Sequence, residues 1–368
     1  MGTNFGGVNY LPNSHNNFEK YLPNSSSSLN SISKRIREIA EDADGRIWLG
    51  TEDAGVIAFD TEKQEFKQIT HSSRKKTLAM LMKDNDLWVG YFKDGLDVIN
   101  KKTGAIKHYS AEMLGINEES IYALCEDRYG KVWLGNAWGV FVAEKGSMQF
   151  KRMDIFGLCY TYNIIEDSEG FIWVACLGSG VFQYNPLTNE IHHYTNNGEI
   201  NSISSNSVSS ITEDHSGQIW FSTDRGGICK FNKKQKQFTS YSIKEGLPDD
   251  IAYKILEDKN YNLWFGTNKG LVKFNSITHN IRVYTQSDGL LSEEFNYNSG
   301  IVSRSGKLYL GSMEGLVAFC PEEFKDNNFV PPIYITRFSI FNKEVNHIPS
   351  SSESTGTSII HAQKLELK

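Results

Sequence analysis

The clearest copy of a repeated unit in this 368-residue chain is Ser207-Val208-Ser209-Ser210-Ile211-Thr212-Glu213-Asp214-His215-Ser216-Gly217-Gln218-Ile219-Trp220-Phe221-Ser222-Thr223-Asp224-Arg225-Gly226-Gly227-Ile228-Cys229-Lys230-Phe231-Asn232. An alternating apolar run ends in a Glu-Asp pair and a glycine turn, which is typical of a strand followed by a hairpin. A second run surrounds Trp220, and the Gly-Gly pair returns the chain into a third. With residues 237–241 as the outer strand, the unit predicts a four-stranded antiparallel sheet.

The same unit recurs along most of the chain, and its tryptophan returns at intervals of 40 to 47 residues. The anchors are Trp48, Trp88, Trp133, Trp173, Trp220, Trp264 and Tyr309. Blade repeats of β-propellers have about this period, and a unit that cannot bury both of its faces must stack against copies of itself. The sequence therefore predicts an all-β fold, a seven-bladed β-propeller of four-stranded antiparallel blades, with each anchor in the core between two blades.

The repeat divides the chain into three segments. Residues 1–16 have the pattern of a remnant of a preceding propeller blade, residues 17–322 form the predicted seven-bladed propeller, and residues 323–368 are a linker with the first strands of a β-sandwich domain. We expect the sequence to begin inside a larger protein, because Gly2 to Tyr10 resemble the second half of a repeat that lacks its tryptophan.

The last repeat has three evident strands, because Pro321 and the Pro331-Pro332 pair interrupt any fourth one. Residues 18–21, Phe-Glu-Lys-Tyr, have the pattern of an outer strand and precede the first complete blade. We expect them to close the seventh blade. An incomplete eighth blade formed by residues 7–21 is the alternative.

Composition excludes several classes of function. The net charge is −6, from 38 Lys and Arg against 44 Asp and Glu, which argues against a nucleic-acid partner. No run of about 18 apolar residues is present, so we expect no membrane segment in this sequence.

The five cysteines, Cys125, Cys159, Cys176, Cys229 and Cys320, include no C-x-x-C pair. We expect buried free thiols, with a disulfide as the alternative.

Glu-Asp pairs recur at residues 41/42, 126/127, 166/167, 213/214 and 257/258, always before a turn. Paired carboxylates can carry out acid-base catalysis, but one active site needs one pair. Five copies instead predict that each Asp accepts backbone N–H bonds in its hairpin. The second unit has Asp84-Asn85-Asp86 at this place and predicts a shorter hairpin.

The phrase Gly217-x-Ile219-Trp220-x-x-Thr223-x-x-Gly226-Gly227, and its copy from Gly45 to Thr51, resembles the two-component-regulator propeller repeat. In that family, such propellers form the periplasmic sensor region of hybrid two-component systems that join a histidine kinase to a response regulator, and a β-sandwich follows them. The resemblance implies the second propeller of such a region, plus the start of the sandwich. It implies an oligosaccharide ligand, the other domains of the parent sensor and a homodimer through the parent as partners, and an inner-membrane parent. It assigns no ligand residue.

In a four-stranded blade, the turn between the second and third strands lies on the same face as the connection to the next blade. Trp138 is the one tryptophan outside the repeat, and it falls in such a turn. An exposed ring can stack on a sugar, so we predict a ligand site at Trp138 with Tyr91, Arg225 and Lys269. The alternative is that Trp138 packs against a neighbouring loop. The basic residues Arg74-Lys75-Lys76 belong to the same face, as a solvated loop or an anion contact.

Three functions compete for this sequence. The first is a non-catalytic sensor propeller, the second a propeller lyase, and the third a protein-interaction scaffold. A lyase needs a base and a cation that faces the substrate carboxylate, and no such unit stands out. We therefore predict no catalytic residue, no metal site, no cofactor and no enzymatic activity for this fragment.

Overall fold

The computed structural model describes residues 17–22, 35–69, 76–199 and 201–324 in full, together with the backbone of three short strand pairs near the ends. Those pairs join Gly2–Thr3 to Gly7–Val8, Ser339–Ile340 to Lys343–Glu344, and His347–Ile348 to Thr357–Ser358. The chain divides into two compact units, His15–Phe324 and a second unit of residues 1–14 and 325–368. Apart from these backbone pairs, the predicted sandwich strands lie outside the described residues, as do Arg74 and Lys75.

The larger unit consists of seven four-stranded antiparallel sheets, which confirms the predicted propeller. Strand A of each sheet is innermost and contacts strand A of the neighbouring blades. From A to D, the strands are Ile36–Glu41, Ile47–Thr51, Val56–Asp60 and Glu65–Gln68 in blade 1; Thr77–Lys83, Asp86–Tyr91, Leu96–Asn100 and Ile106–Tyr109 in blade 2; Ala123–Glu126, Val132–Asn136, Gly139–Ala143 and Lys151–Arg152 in blade 3; Thr161–Glu166, Ile172–Cys176, Gly180–Tyr184 and Ile191–Tyr194 in blade 4; Val208–Glu213, Ile219–Thr223, Ile228–Asn232 and Gln237–Tyr241 in blade 5; Ile255–Glu257, Asn262–Thr267, Gly270–Asn275 and Ile281–Tyr284 in blade 6; and Phe295–Val302, Leu308–Ser312, Leu316–Phe319 and Glu19–Tyr21 in blade 7.

Helices occur only in short connections of the described ranges. One α-helical turn spans Ala111–Leu114, and 3₁₀ turns span Asp154–Phe156, Ile243–Glu245, Gln286–Asp288 and Pro321–Glu323.

The outer strand of blade 7 comes from the beginning of the chain. Glu19 pairs with Ala318, and Tyr21 pairs with Leu316. Phe18 is buried beside this strand, and its ring meets Phe319 edge-on at a centroid distance of 5.2 Å. The ring of blades is therefore closed by residues that are far apart in the sequence, which ties the first described segment to the last blade.

The repeated tryptophans form the cores between blades, as predicted. Trp173 packs with Phe221 and Phe231 of blade 5, and Trp220 packs with Phe265 and Phe274 of blade 6. Each anchor thus fills the gap between its own blade and the next one. Burial of a ring of this size removes about 150–250 Å² from water, which is worth about 4–6 kcal/mol as an upper bound.

In five of the seven blades, the repeated Asp supports both the hairpin and the anchor tryptophan. In blade 5, one Asp214 oxygen accepts the backbone N–H groups of Ser216 and Gln218 at 2.9 Å. The other accepts the indole N–H of Trp220 at 2.8 Å. The same three bonds recur at Asp42, Asp127, Asp167 and Asp258. The predicted turn role is confirmed, and blade 2, which lacks this Asp, has a two-residue turn between Lys83 and Asp86.

The repeated Glu joins neighbouring blades. Each Glu accepts a hydrogen bond from a residue at the hairpin of the preceding blade. The donors are Arg304 N to Glu41 at 2.9 Å, Lys83 to Glu126, Arg128 Nε to Glu166 at 2.5 Å, Ser168 N to Glu213 at 2.7 Å, and His215 N to Glu257 at 2.7 Å. The Glu-Asp pairs therefore use both carboxylates in the scaffold, one between blades and one within a blade.

We expect Asp214→Asn to lower the free energy of unfolding by about 1–3 kcal/mol, because the amide would turn an N–H group toward the buried indole N–H of Trp220. The measurement is urea denaturation followed by fluorescence. Asp154→Asn is the matched control, since that side chain is 89% exposed. A loss at Asp214 no larger than at Asp154 would contradict the role of this carboxylate.

The cysteine prediction was wrong in part. Cys159 and Cys176 form a disulfide with a Cα–Cα distance of 5.8 Å, while Cys125, Cys229 and Cys320 are free. Cys159 precedes strand A of blade 4 and Cys176 ends strand B, so the antiparallel pairing brings them side by side. The spacing of 17 residues between them is set by the hairpin, and no short motif in the sequence marks it.

Candidate ligand-binding face

Three of the four predicted ligand residues lie at turns between strands B and C, on one face of the propeller. Trp138 of blade 3 is 50% exposed, and Arg225 and Lys269, of blades 5 and 6, are also exposed. No hydrogen bond or ring contact joins these three side chains to one another within the described ranges. They present separate contacts on one face rather than one compact pocket.

The fourth predicted residue, Tyr91, lies elsewhere. It ends strand B of blade 2, is 0% exposed, and packs with Trp48 and Val89 in the core between blades 1 and 2. Tyr91 therefore does not present its ring to a ligand on this face. The turn of blade 2 begins one residue later, at Phe92, which is 42% exposed.

At the centre of the same face, where strand A of each blade begins, stands a group of aromatic side chains around one arginine. We call this group the mouth cluster. Its members are Arg37, Tyr122, Tyr160, Tyr162, Tyr253 and Tyr297, from blades 1, 3, 4, 6 and 7.

The tyrosine rings of the mouth cluster form a continuous chain of contacts. Tyr122 meets Tyr160 edge-on at 4.9 Å and stacks with Tyr162 at 5.8 Å between ring centroids. Tyr162 meets Tyr297 at 5.3 Å, and Tyr297 meets Tyr253 at 5.1 Å. Tyr122, Tyr160 and Tyr297 are partly exposed, so this cluster offers both ring surface and hydroxyl groups.

Arg37 crosses the centre of the ring from blade 1 to blade 4. One guanidinium nitrogen donates a hydrogen bond to the Tyr162 hydroxyl at 2.5 Å, and its Cζ lies 5.5 Å from the centroid of Tyr297. On the other side, Arg37 pairs with Glu52 at 3.5 Å, and Glu52 also lies 3.6 Å from Lys76. Arg37 is 93% buried, and its guanidinium has hydrogen-bond and ion-pair partners, so it holds the neighbouring rings in place.

Burial raises the pKa of four tyrosines in this cluster, so their hydroxyls stay protonated: Tyr160, Tyr162, Tyr253 and Tyr297. Desolvation and the hydrogen bond with Tyr122 raise the pKa of Tyr160. Desolvation also raises the pKa of Tyr253, together with the negative charges of Asp249, Asp224 and Glu294. The hydroxyl of Tyr253 donates to Asn268 Oδ1 at 2.6 Å. Neutral phenols can both donate and accept hydrogen bonds, which suits a polyhydroxylated ligand.

Two irregularities in the fold hold the mouth cluster. In blade 7, Phe295 pairs with Ser312 and Gly300 with Leu310, so residues 296–299 bulge opposite Gly311 alone. Asn298 within this bulge has φ of +39°, a strained value for a residue with a side chain. In blade 4, the disulfide holds the chain immediately before Tyr160. Bulges and strained residues concentrate at functional sites, which favours this centre as a binding site.

The mouth cluster was not predicted from the sequence, although the sequence carries a signal for it. A tyrosine lies within two residues of the start of strand A in blades 3, 4, 6 and 7, outside the part of the repeat that surrounds the tryptophan. Aligning the repeats on strand A rather than on the tryptophan would have found it. The contacts between these tyrosines also depend on the bulge at residues 296–299, which the periodicity of the sequence does not reveal.

Among the described residues, no group of three or more His, Cys, Asp and Glu side chains is arranged to hold a metal ion. None of the helices in the described ranges has the length and apolar character needed to cross a bilayer.

Comparison with known families assigns the repeat. The model of the two component regulator propeller family matches residues 30–53, 115–138, 202–225 and 246–269. Four of the seven blades therefore carry the two component regulator propeller repeat. Each match covers strands A and B of a blade and ends in the turn that carries Asp53, Trp138, Arg225 or Lys269, so the family repeat and the candidate face coincide.

Two similar proteins have names related to two-component signalling. The chain is 28% identical over 361 residues to histidine kinase P4 of Formosa agariphila, covering 92% of this chain and 26% of that protein. It is also similar to the extracellular domain of the putative hybrid two component system BT3049 from B. thetaiotaomicron, with a TM-score of 0.76, 24% identity, and coverage of 96% of this chain and 47% of that chain. The chain therefore spans about a quarter and about half of these relatives.

A streptogramin B lyase shares the fold, with a TM-score of 0.64, 16% identity, and coverage of 82% of this chain and 96% of that chain. At this identity the likeness concerns architecture alone.

Proposed function

We propose that this chain is a non-catalytic ligand-binding propeller of an extracytoplasmic sensor, within a hybrid two-component protein of an inner membrane, and that its ligand is an oligosaccharide. The mouth cluster is the observation that carries the proposal. Its partly exposed rings and neutral hydroxyls match the alternating apolar and hydroxyl surfaces of a sugar. Trp138 adds a half-exposed ring at the same face, and Arg225 and Lys269 add positive charge for anionic substituents.

The periplasmic location is supported by the disulfide between Cys159 and Cys176, since disulfides persist in oxidising compartments and are rare in the cytosol. The similarity to an extracellular domain of a hybrid system favours the same location. Further domains of the parent protein, and a homodimer formed through it, are the partners that we propose for signal transmission.

We expect a bound oligosaccharide to raise the melting temperature, because a ligand at 100 times its Kd adds about 2.7 kcal/mol to the folded state. The measurement is a thermal-shift screen with neutral and sulfated oligosaccharides. Trp138→Ala and Tyr160→Ala should each reduce the shift for the same sugar. Tyr129→Ala should leave it unchanged, because Tyr129 is 51% exposed in the same blade but on the opposite face.

Different outcomes separate this proposal from other functions. Absence of a shift with every sugar, or an equal loss in Tyr129→Ala, would overturn an oligosaccharide site on this face. Release of unsaturated sugar products during incubation would instead favour a lyase.

A further inference from the structure

A cavity of about 220 Å³ lies in the central channel next to the mouth cluster and shares Tyr122 with it. Its polar lining includes Glu38, Asn163, Lys254 and Asn298. Each of these residues follows a member of the mouth cluster by one position in its strand A or the segment leading into it. The cavity is therefore the next layer down the channel. It is smaller than the about 300–1,000 Å³ of sites for drug-sized ligands, so its volume suits a small metabolite.

Two groups of opposite charge, Glu38 and Lys254, line this cavity and interact electrostatically without touching. Neither the Glu38 carboxylate nor the Lys254 ammonium makes a hydrogen bond or an ion pair within the residues that the structure describes. Desolvation raises the pKa of Glu38 to about 8 and lowers the pKa of Lys254. Each group favours the charged form of the other, yet neither makes a hydrogen bond, so a ligand that carries both charges would pair with both groups at once.

Two amides provide polar groups at the same level. Asn298 is 91% buried, its Nδ2 donates to Tyr162 O at 3.2 Å, and its Oδ1 has no hydrogen-bond donor. Asn163 accepts the backbone N–H of Ile211 through Oδ1 at 3.1 Å, while its Nδ2 makes no bond to the described residues. The cavity thus offers two acceptors, Glu38 and Asn298 Oδ1, and two donors, Lys254 and Asn163 Nδ2.

We propose that this cavity binds an α-amino acid as its zwitterion. The ligand carboxylate pairs with Lys254 and Asn163 Nδ2, and the ligand ammonium pairs with Glu38 and Asn298 Oδ1. A simple cation would meet the repulsion of Lys254, and a simple anion that of ionised Glu38. A compact molecule with both charges satisfies all four groups. The four groups that would bind the zwitterion are distinct from those that carry the oligosaccharide proposal, although Tyr122 of the mouth cluster also lines this cavity.

The first test needs only the unaltered chain. Isothermal titration calorimetry is carried out with glycine, L-serine and L-leucine. Methylammonium, which has only the positive charge, and acetate, which has only the negative charge, are titrated in parallel. We expect at least one amino acid to bind about tenfold or more tightly than methylammonium or acetate, because only the amino acid makes charged hydrogen bonds to both sides of the cavity. No binding by any amino acid, or equal binding by acetate or methylammonium, would overturn the proposal.

Substitutions then identify the site. Glu38→Gln and Lys254→Met should each weaken amino-acid binding about tenfold or more, while Glu112→Gln at the surface should not. The double variant Glu38→Gln/Lys254→Met leaves no unpaired charge, so it should fold by circular dichroism and still fail to bind. Unchanged affinity in any of these folded cavity variants would place amino-acid binding elsewhere and overturn the assignment.

Discussion

We expect Trp220→Ala to lower the free energy of unfolding by about 3–5 kcal/mol, the largest effect of any single substitution considered for this chain. Trp220 is 0% exposed and fills the core between blades 5 and 6, where its ring lies 5.9 Å from Phe274. Truncation would open a cavity between two blades and would also deprive Asp214 of the indole donor at 2.8 Å. The measurement is urea denaturation followed by circular dichroism.

Trp138→Ala is the matched control for this prediction. The same side chain is removed, but Trp138 is 50% exposed and lies outside the repeat, so its loss should change the free energy of unfolding by about 0.5 kcal/mol or less. Similar losses of unfolding free energy in both variants would show that burial between blades does not make the anchor tryptophans more stabilising than an exposed one. The pair also separates folding from function, because only Trp138→Ala is expected to weaken sugar binding while the protein stays folded.

Periodicity predicted the fold because the same physical demand recurs in every blade. Trp173 and Trp220 occupy equivalent gaps between sheets, and Asp167 and Asp214 make equivalent bonds in the hairpins. Because the blades need the same interaction, the same residue type recurs from repeat to repeat, and a single sequence is enough to reveal it. Blade 2 supports this reasoning, because it lacks the Glu-Asp pair of the repeat and has a hairpin turn of only two residues.

The candidate site was harder to predict because it depends on what differs between blades. Tyr91 seemed to belong to a turn, yet strand B of blade 2 extends through it and buries it. Tyr162 and Tyr297 are separated by 135 residues, and their contact depends on the ring closing and on the bulge at residues 296–299. Neither feature leaves a periodic signal. The role of the repeated Glu residues was likewise not predicted, because their hydrogen-bond donors lie in the hairpin of the preceding blade.

The second large effect is expected at the disulfide. Removing it with Cys159→Ala/Cys176→Ala should lower the free energy of unfolding by about 3 kcal/mol, because the bond closes a loop with a sequence separation of 17 residues and restricts the unfolded chain. Urea denaturation with and without a reductant measures the effect. Reduction should destabilise the unaltered chain and leave the double variant unchanged.

Cys229→Ala controls for the loss of buried sulfur, since Cys229 is a free thiol with 0% exposure and closes no loop. Its cost should be clearly smaller than that of the double variant. The disulfide also adjoins Tyr160, which belongs to the mouth cluster. The double variant should therefore show a smaller sugar-induced rise in melting temperature than the unaltered chain. Equal costs for the two variants would mean that the bond adds no stability beyond packing. A full sugar response in the double variant would mean that the strand-A start of blade 4 is held in place by its ring contacts alone.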